Sequence, residues 1–237
     1  MLVPACRRLQ PELMDQPDLD IREHRHALAA LGRGNAASRS VATLWPAIAR
    51  AASVAARPIR ILDLACGGGH VVVGLARLAA RKGVPVEVCG CDISPVAIEY
   101  ARSLAGQSGV RHVQFTQLDA AGGLLPTGFD VVLCSLFLHH LEDDEAEHVL
   151  RRMKDAARVL VLVSDLRRTD LGYVFTWVGC RLLSRSRVFH VDGTRSVEAA
   201  FTTEEAQAMA VRAGLAGARV TERWPQRWLL TWYRSIG

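Results

Sequence analysis

A chain of 237 residues, half of them hydrophobic, can bury the core of one α/β domain and needs no second large domain. The net charge of +5 and pI near 9.1 come almost wholly from arginine, with lysine only at 82 and 154, so no Lys-rich nucleic-acid stripe is present. The six cysteines lack C-x-x-C spacing and read as reduced core residues of a cytoplasmic protein; without an apolar leader or a run of about 18 apolar residues, neither a signal peptide nor a transmembrane span is expected.

In chain order, residues 21–31 and 41–56 read as two helices separated by Gly32-Arg33-Gly34, so that 1–56 forms a small helical cap. Asn35, Ser38 and Arg39 are its candidates to face a ligand. A short apolar run over 59–64 carries one acid, Asp63, as a central parallel strand does. Three glycines, Gly67 to Gly69, follow, and helical spacing from His70 to Arg81 ends at a C-cap glycine, Gly83. Strand, glycine turn and helix together make a nucleotide-cofactor loop, because glycine lets backbone approach a ligand and the helix start offers free N–H groups.

A second strand over 84–91 ends in Asp92, about 20 residues beyond the glycines, where doubly wound folds hold the ribose hydroxyls of an adenosine cofactor. Ser94 and Pro95 then supply the N-cap and first position of a helix over 96–104. Strands follow at 113–116 and from Phe129, an acid-started helix at 142–153, and a nearly all-apolar fifth strand at 156–164. A capping box at Thr202-Thr203-Glu204-Glu205 opens the last helix, and 218–223 and 227–233 are the last strands. The fold expected is α/β, Rossmann-like. A dinucleotide fingerprint starting at Gly67 would need a glycine where Val72 stands, which disfavours an oxidoreductase.

Four motifs in this order resemble the class I S-adenosylmethionine-dependent methyltransferases, from about residue 57 to the end: Asp63 to Gly69, Asp92-Ile93-Ser94-Pro95, Leu118-Asp119-Ala120, and Phe129-Asp130 through Ser135-Leu136-Phe137-Leu138-His139-His140. The resemblance implies a seven-stranded sheet over 57–237 that binds S-adenosylmethionine. The turn Asp63, Ala65, Cys66, Gly67, Gly69 would cradle the cofactor, Asp92 with Ile93 would meet its ribose, Asp119 and Ala120 its adenine edge, and Ser135 with Leu136 its methionine portion. Ala65 stands where the family usually has its first glycine. A closer likeness to small-molecule enzymes of polyketide or quinone type rests on Met14 to Leu19, Ser135 to His140, Ser164 to Arg167 and Arg181 to Arg185.

The insertion 166–201 is expected to be a substrate lid: an apolar helix over 171–183 with Tyr173, Phe175 and Trp177, then a polar turn with Arg185, Arg187, His190, Asp192 and Arg195. Tyr173, Trp177 and His190 are the candidate substrate contacts. His140 is the candidate general base, with His139 beside it and Asp165 to orient it; His190 with Asp192 is the rival pair. No metal is expected, because the acids are not spaced with the histidines as ligands. The reaction implied is methyl transfer to a hydroxyl of a hydrophobic small molecule, with C-methylation its nearest variant. RNA methylation is less favoured, since Ser135-Leu136-Phe137-Leu138 differs from the motif used on base amino groups. No nucleic-acid partner and no stable membrane insertion are expected, and oligomeric state is open.

Overall fold

A computed structural model describes residues 2–16 and 18–234. Seven strands form one sheet in the order β3-β2-β1-β4-β5-β7-β6: β1 (Ile59–Leu64), β2 (Val86–Asp92), β3 (Val113–Gln117), β4 (Phe129–Ser135), β5 (Ala157–Leu166), β6 (Arg219–Arg223) and β7 (Arg227–Tyr233). The first five pair in parallel and β7 runs antiparallel to both β5 and β6. Strand order reverses between β1 and β4, and ligands of open α/β sheets bind outside the strand ends at such a switch point.

Alternation along the strands builds two cores. Ile59, Ile61, Val131, Leu133, Leu160, Leu162 and Leu229 point to one face, with Leu44, Val72, Leu75 and Ile98 from α2 (Ser40–Ser53), α3 (His70–Lys82) and α4 (Pro95–Ser108). Leu62, Leu64, Val132, Cys134, Val161, Val163, Trp228 and Leu230 point to the other, under α5 (Asp143–Ala156) and α8 (Thr203–Arg212). The same parity sorts the polar residues at the strand tops. Asp63, Ser135, Ser164 and Arg227 continue the first face, whereas Asp165 continues the second.

The N-terminal stretch divides. Helix α2 is one of the sheet-flanking helices, with Leu44 and Ile48 fully buried, while α1 (Ile21–Ala37) packs across α4, α6 (Asp170–Leu183) and α7 (Arg187–Ala199). The expected break at Gly32-Arg33-Gly34 is absent, since α1 runs through both glycines. A Cβ at Gly32 would overlap the His70 ring, and one at Gly34 would meet Phe189 Cζ at 3.5 Å. Gly32 therefore allows a close approach whose packing outweighs a helix-propensity cost of about 1 kcal/mol, whereas a side chain at Gly34 would make only an ordinary contact with Phe189.

The polar turn expected after α6 is also corrected: Arg187 to Ala199 is helix α7. Ser186 caps it by accepting from the Phe189 N–H, and Val188, Phe189, Asp192, Ser196 and Val197 make a buried stripe. Charged residues between these positions hide the period when the sequence is read linearly. Helices α6 and α7 pack closely, and a Cβ on Gly193 would come within 2.6 Å of Cys180 Sγ.

Candidate active site

Backbone geometry is unusual at the switch point. Ala65 (φ 51°), Gly67 (51°) and Gly69 (73°) all lie in the left-handed region at the end of β1, and Leu136 (57°) does so at the end of neighbouring β4. Left-handed non-glycine residues are costly and gather where function fixes the chain. Glycine at 69 is also a packing need, because a Cβ there would stand 2.8 Å from both Ala101 Cβ and Phe115 Cε1.

Across the turn, Asp92 accepts from the Gly67 N–H on Oδ2 (2.8 Å) and from the Ser94 N–H on Oδ1 (2.9 Å). Burial raises its carboxyl pKa against the opposing pull of those amides. Asp63 is buried with Oδ1 unpartnered, and burial, then the Asp92 charge, pushes it well above the usual carboxylate range. An unpaired buried acceptor facing a glycine turn suits a ligand carrying a donor or positive charge. Ile93, next to Asp92 in the chain, is 63% exposed, and Asp119 is exposed with Oδ1 accepting from the Ala121 N–H. Ala120 is buried, and Cys66 is a half-buried thiol whose pKa burial raises well above normal.

Helix α1 lies over this turn. Leu28 packs toward Gly67, Gly32 against His70, and Arg25 pairs with Glu99 of α4 at 3.2 Å. His24, its pKa lowered by burial, lies within the fields of Asp15 and Asp92.

Beside the turn, the buried guanidinium of Arg227 donates to Ser40 Oγ (2.6 Å), Ser38 Oγ (3.2 Å), Ser135 Oγ (2.9 Å) and the Ser164 carbonyl (3.2 Å). Ser40 donates in turn to Asn35 Oδ1 at 2.8 Å. Asn35 and Ser38 thus join the wall next to Ser135, while Arg39 takes a left-handed conformation at the α2 N-cap. Burial lowers the Arg227 pKa to about 10, so it remains a cation at neutral pH.

The histidines sit on the α5/α8 side. His139, 2% exposed, places Nδ1 2.6 Å from Asp165 Oδ1 and Nε2 3.6 Å from Glu12 Oε1. Burial opposes its charge, but Asp165 and then Glu12 raise its pKa to about 10. Both carboxylates are held below their usual range despite burial, Asp165 by His139 and Glu12 by His140 and His139. His139 is therefore an imidazolium between two carboxylates at neutral pH. His140, a quarter exposed, has Nδ1 3.2 Å from Asp15 Oδ2 and Nε2 3.9 Å from Glu12 Oε2. Asp165 thus orients His139, not His140 as expected: strand parity turns Asp165 to the α5/α8 face, where His139 lies.

Glu12, Asp15 and Arg227 are the partners that sequence reasoning missed. Met14 to Leu19 stood out only as a shared motif, and the signal for Arg227 was one charge opening an otherwise apolar strand. Glu12 arrives on a strap over residues 7–16. Arg7 donates to the carbonyls of Ala199 (2.7 Å), Leu141 (2.7 Å) and His139 (3.3 Å), pairs with Asp143 and stacks 3.6 Å from the Phe201 ring centroid. Glu12 also accepts from Ser196 Oγ, and Asp192 accepts from the Leu13 and Met14 N–H groups.

His190 and Asp192 do not form the rival pair. Asp192 is taken by the strap, and the His190 ring contacts the Ser184 carbonyl at 2.6 Å, closing the α6–α7 turn. Tyr173 is half-buried, while Trp177 is 46% exposed under the Arg181 guanidinium, 4.0 Å from its ring centroid. Glu12, His139 and His140 bring one donor atom each to within 4.8 Å of one another, a donor set able to hold a divalent ion once His139 Nε2 has lost its proton. The expectation of no metal assumed that acids remote in sequence stay remote in space, and the strap removes that assumption.

Strand order, reversed β7, the left-handed turn after β1 and the acid ending β2 together define a class I methyltransferase fold. Comparison with known proteins agrees: residues 61–159 match the family described as methyltransferase domain. It is 33% identical over 126 residues to a ubiquinone biosynthesis O-methyltransferase of Azoarcus sp., covering 52% of this chain and 51% of that one. A Schizosaccharomyces pombe protein of the same description is 34% identical over 121 residues, covering 49% and 41%. The chain spans about half the length of the curated relatives it matches. Among solved structures, a provisionally assigned O-methyltransferase from Nostoc punctiforme gives a TM-score of 0.66 at 19% identity, covering 96% of this chain and 64% of that one. Magnesium protoporphyrin IX methyltransferase from Synechocystis, solved with bound SAH, gives 0.54 at 17% identity, covering 90% and 84%. At these identities the structures speak to fold alone.

Proposed function

We propose that this chain transfers a methyl group from S-adenosylmethionine to a hydroxyl of a hydrophobic quinone-like, aromatic or polyketide small molecule. The observation that carries the cofactor assignment is the turn at the switch point, where Asp92 anchors Gly67 and Asp63 keeps an unpartnered oxygen. Asp92 retains lone pairs for ribose hydroxyls, exposed Ile93 offers an apolar surface to adenine, and Asp119 lies at the adenine edge. Asp63 and the bend at Ser135-Leu136 meet the methionine end. S-adenosylmethionine supplies a methyl group already activated by the sulfonium charge. The protein aligns the acceptor oxygen with that carbon, keeps water out, and takes the proton.

His140 is the group for the proton. It is partly exposed, whereas His139 is buried and already protonated between Asp165 and Glu12. As the acceptor oxygen took the methyl group and the sulfonium left as a neutral thioether, His140 would accept the hydroxyl proton. The ubiquinone-pathway relatives favour a phenol or quinol acceptor; a polyketide acceptor rests on sequence resemblance. Tyr173 lies on the lid helix within reach of the domain, while Trp177, beneath Arg181, and His190, which closes a turn, are weaker substrate contacts than their sequence position suggested.

Calorimetry with S-adenosylmethionine and its demethylated product, with NAD and NADPH as comparators, tests the cofactor. Micromolar binding of the first pair, lost in Asp92→Ala, is expected. Binding of a nicotinamide cofactor alone would leave only the fold standing. A screen of catechols, hydroquinones and phenolic polyketides then addresses the acceptor, with mass spectrometry to separate O- from C-methylation.

A further inference from the structure

Helix α6 is apolar on the side that faces away from the protein. Leu171, Val174, Phe175, Val178 and Leu182 recur at helical spacing on that side and are 40 to 80% exposed. The opposite side, through Gly172 and Cys180, is already packed, with Cys180 closely apposed to Gly193 of α7. A helix that is apolar all round is normally interior, so this outward face lacks the partner its composition requires.

Charge at its margin identifies the partner. Arg181, Arg185 and Arg187 are exposed at the C-terminal end of α6, in the turn beyond it and at the start of α7, and exposed Arg33 of α1 donates to the Leu183 carbonyl there. The acid at the other end, Asp170, is engaged by the Leu2 and Val3 N–H groups. An apolar stripe with an aromatic ring, an adjacent tryptophan beneath an arginine, and a basic rim is the composition that lies in the plane of an anionic bilayer surface. The helix has 14 residues, about 21 Å at 1.5 Å per residue, which is too short to span a hydrocarbon core of about 30 Å. No helix among the described residues is long and apolar enough to cross a membrane.

We propose that the outward face of α6 docks this protein onto membranes containing anionic phospholipid, with Phe175, Val178 and Leu182 entering the acyl boundary and the arginines resting among the headgroups. The α6–α7 hairpin would then hold the site's lid against the bilayer, where a water-insoluble acceptor is dissolved. Docking itself does not depend on the identity of the acceptor.

The test is co-sedimentation of the full chain with vesicles of phosphatidylcholine alone and of phosphatidylcholine with phosphatidylglycerol. The wild type should bind the anionic vesicles, and binding should fall as salt is raised. Phe175→Glu/Val178→Glu should lower the partition coefficient by at least roughly tenfold, and Arg181→Gln/Arg185→Gln should weaken it severalfold. Leu182→Glu alone serves as a second apolar variant. Far-UV circular dichroism and S-adenosylmethionine calorimetry on each variant report the fold and the cofactor site, which these outward positions should leave unchanged. Wild type remaining in the supernatant with anionic vesicles would overturn the proposal, as would equal binding to phosphatidylcholine alone. A dimer that Phe175→Glu/Val178→Glu dissociates, without vesicle binding, would assign the face to a second copy of this chain instead.

Discussion

His139 and Asp165 share a buried hydrogen bond, Nδ1 to Oδ1 at 2.6 Å, and Glu12 faces the opposite ring nitrogen at 3.6 Å. Removing one member leaves an uncompensated charge in the core. His139→Asn should therefore cost about 3–5 kcal/mol in urea unfolding, the range for breaking a buried pair from one side.

The pH dependence of that loss has a defined sign. The folded pKa of His139, about 10, lies above its ordinary 6.5, so its stabilising contribution is complete below pH 6.5 and disappears as pH rises toward 10. Glu12 and Asp165 are held below their ordinary range, so their contribution is present at neutral pH and is lost on acidification through their folded values. The stability gap between wild type and His139→Asn should narrow steadily between pH 7 and 10 in parallel denaturation curves. A gap independent of pH would mean that His139 is neutral in the folded protein.

His140→Ala should behave differently. Turnover of a phenolic acceptor is expected to fall by roughly 10²–10⁴-fold, the contribution typical of a positioned base, with S-adenosylmethionine affinity unchanged. The loss should shrink as pH approaches the acceptor's own pKa, because an ionised acceptor needs no base. Equal losses at all pH values would point to positioning by His140 instead.

The donor set of Glu12, His139 and His140 makes metal dependence a direct question. Dialysis against a chelator should leave turnover unaltered, with Glu12 and Asp165 balancing a proton on His139. Loss on dialysis and recovery on adding back a divalent ion would replace that account.

Gly32→Ala should destabilise the protein by about 1–3 kcal/mol, the usual cost of forcing extra volume into a packed contact, because the new methyl overlaps the His70 ring. Helix propensity alone predicts the opposite sign. Chemical denaturation of the variant therefore decides between a glycine kept for close approach and one that is merely tolerated.

These contacts show which parts of the molecule could be read from the chain. The unit from β1 through the turn to α3 and β2 was legible because its signals are local: an apolar run, glycines, a cap and an acid close together. The start of α4 at Ser94-Pro95 and the capping box of α8 were legible for the same reason, and both side-chain caps are formed. The continuity of α1 was not, since Gly32 marks a break or a close approach with equal ease until His70 is known to face it. Asp165 and the histidines were both noticed, but which histidine Asp165 serves follows from strand parity combined with the position of α5 and α8. Glu12 was beyond reach because its partners follow it by well over a hundred residues, and no periodicity reports such a distance.

That separation has a consequence for assembly. Residues 7–14 bind groups at 139–143 and 192–201, so the strap finds no berth until most of the sheet and α7 exist. Closing so long a loop carries an entropic penalty that local helices avoid, which places strap docking late in folding. In a chain emerging from a ribosome, the strap would wait, unattached, until residues 192–201 had been made. Competence at the histidine site would thus follow synthesis of α7, and bulky additions ahead of Arg7 would slow maturation more than they weaken the finished fold.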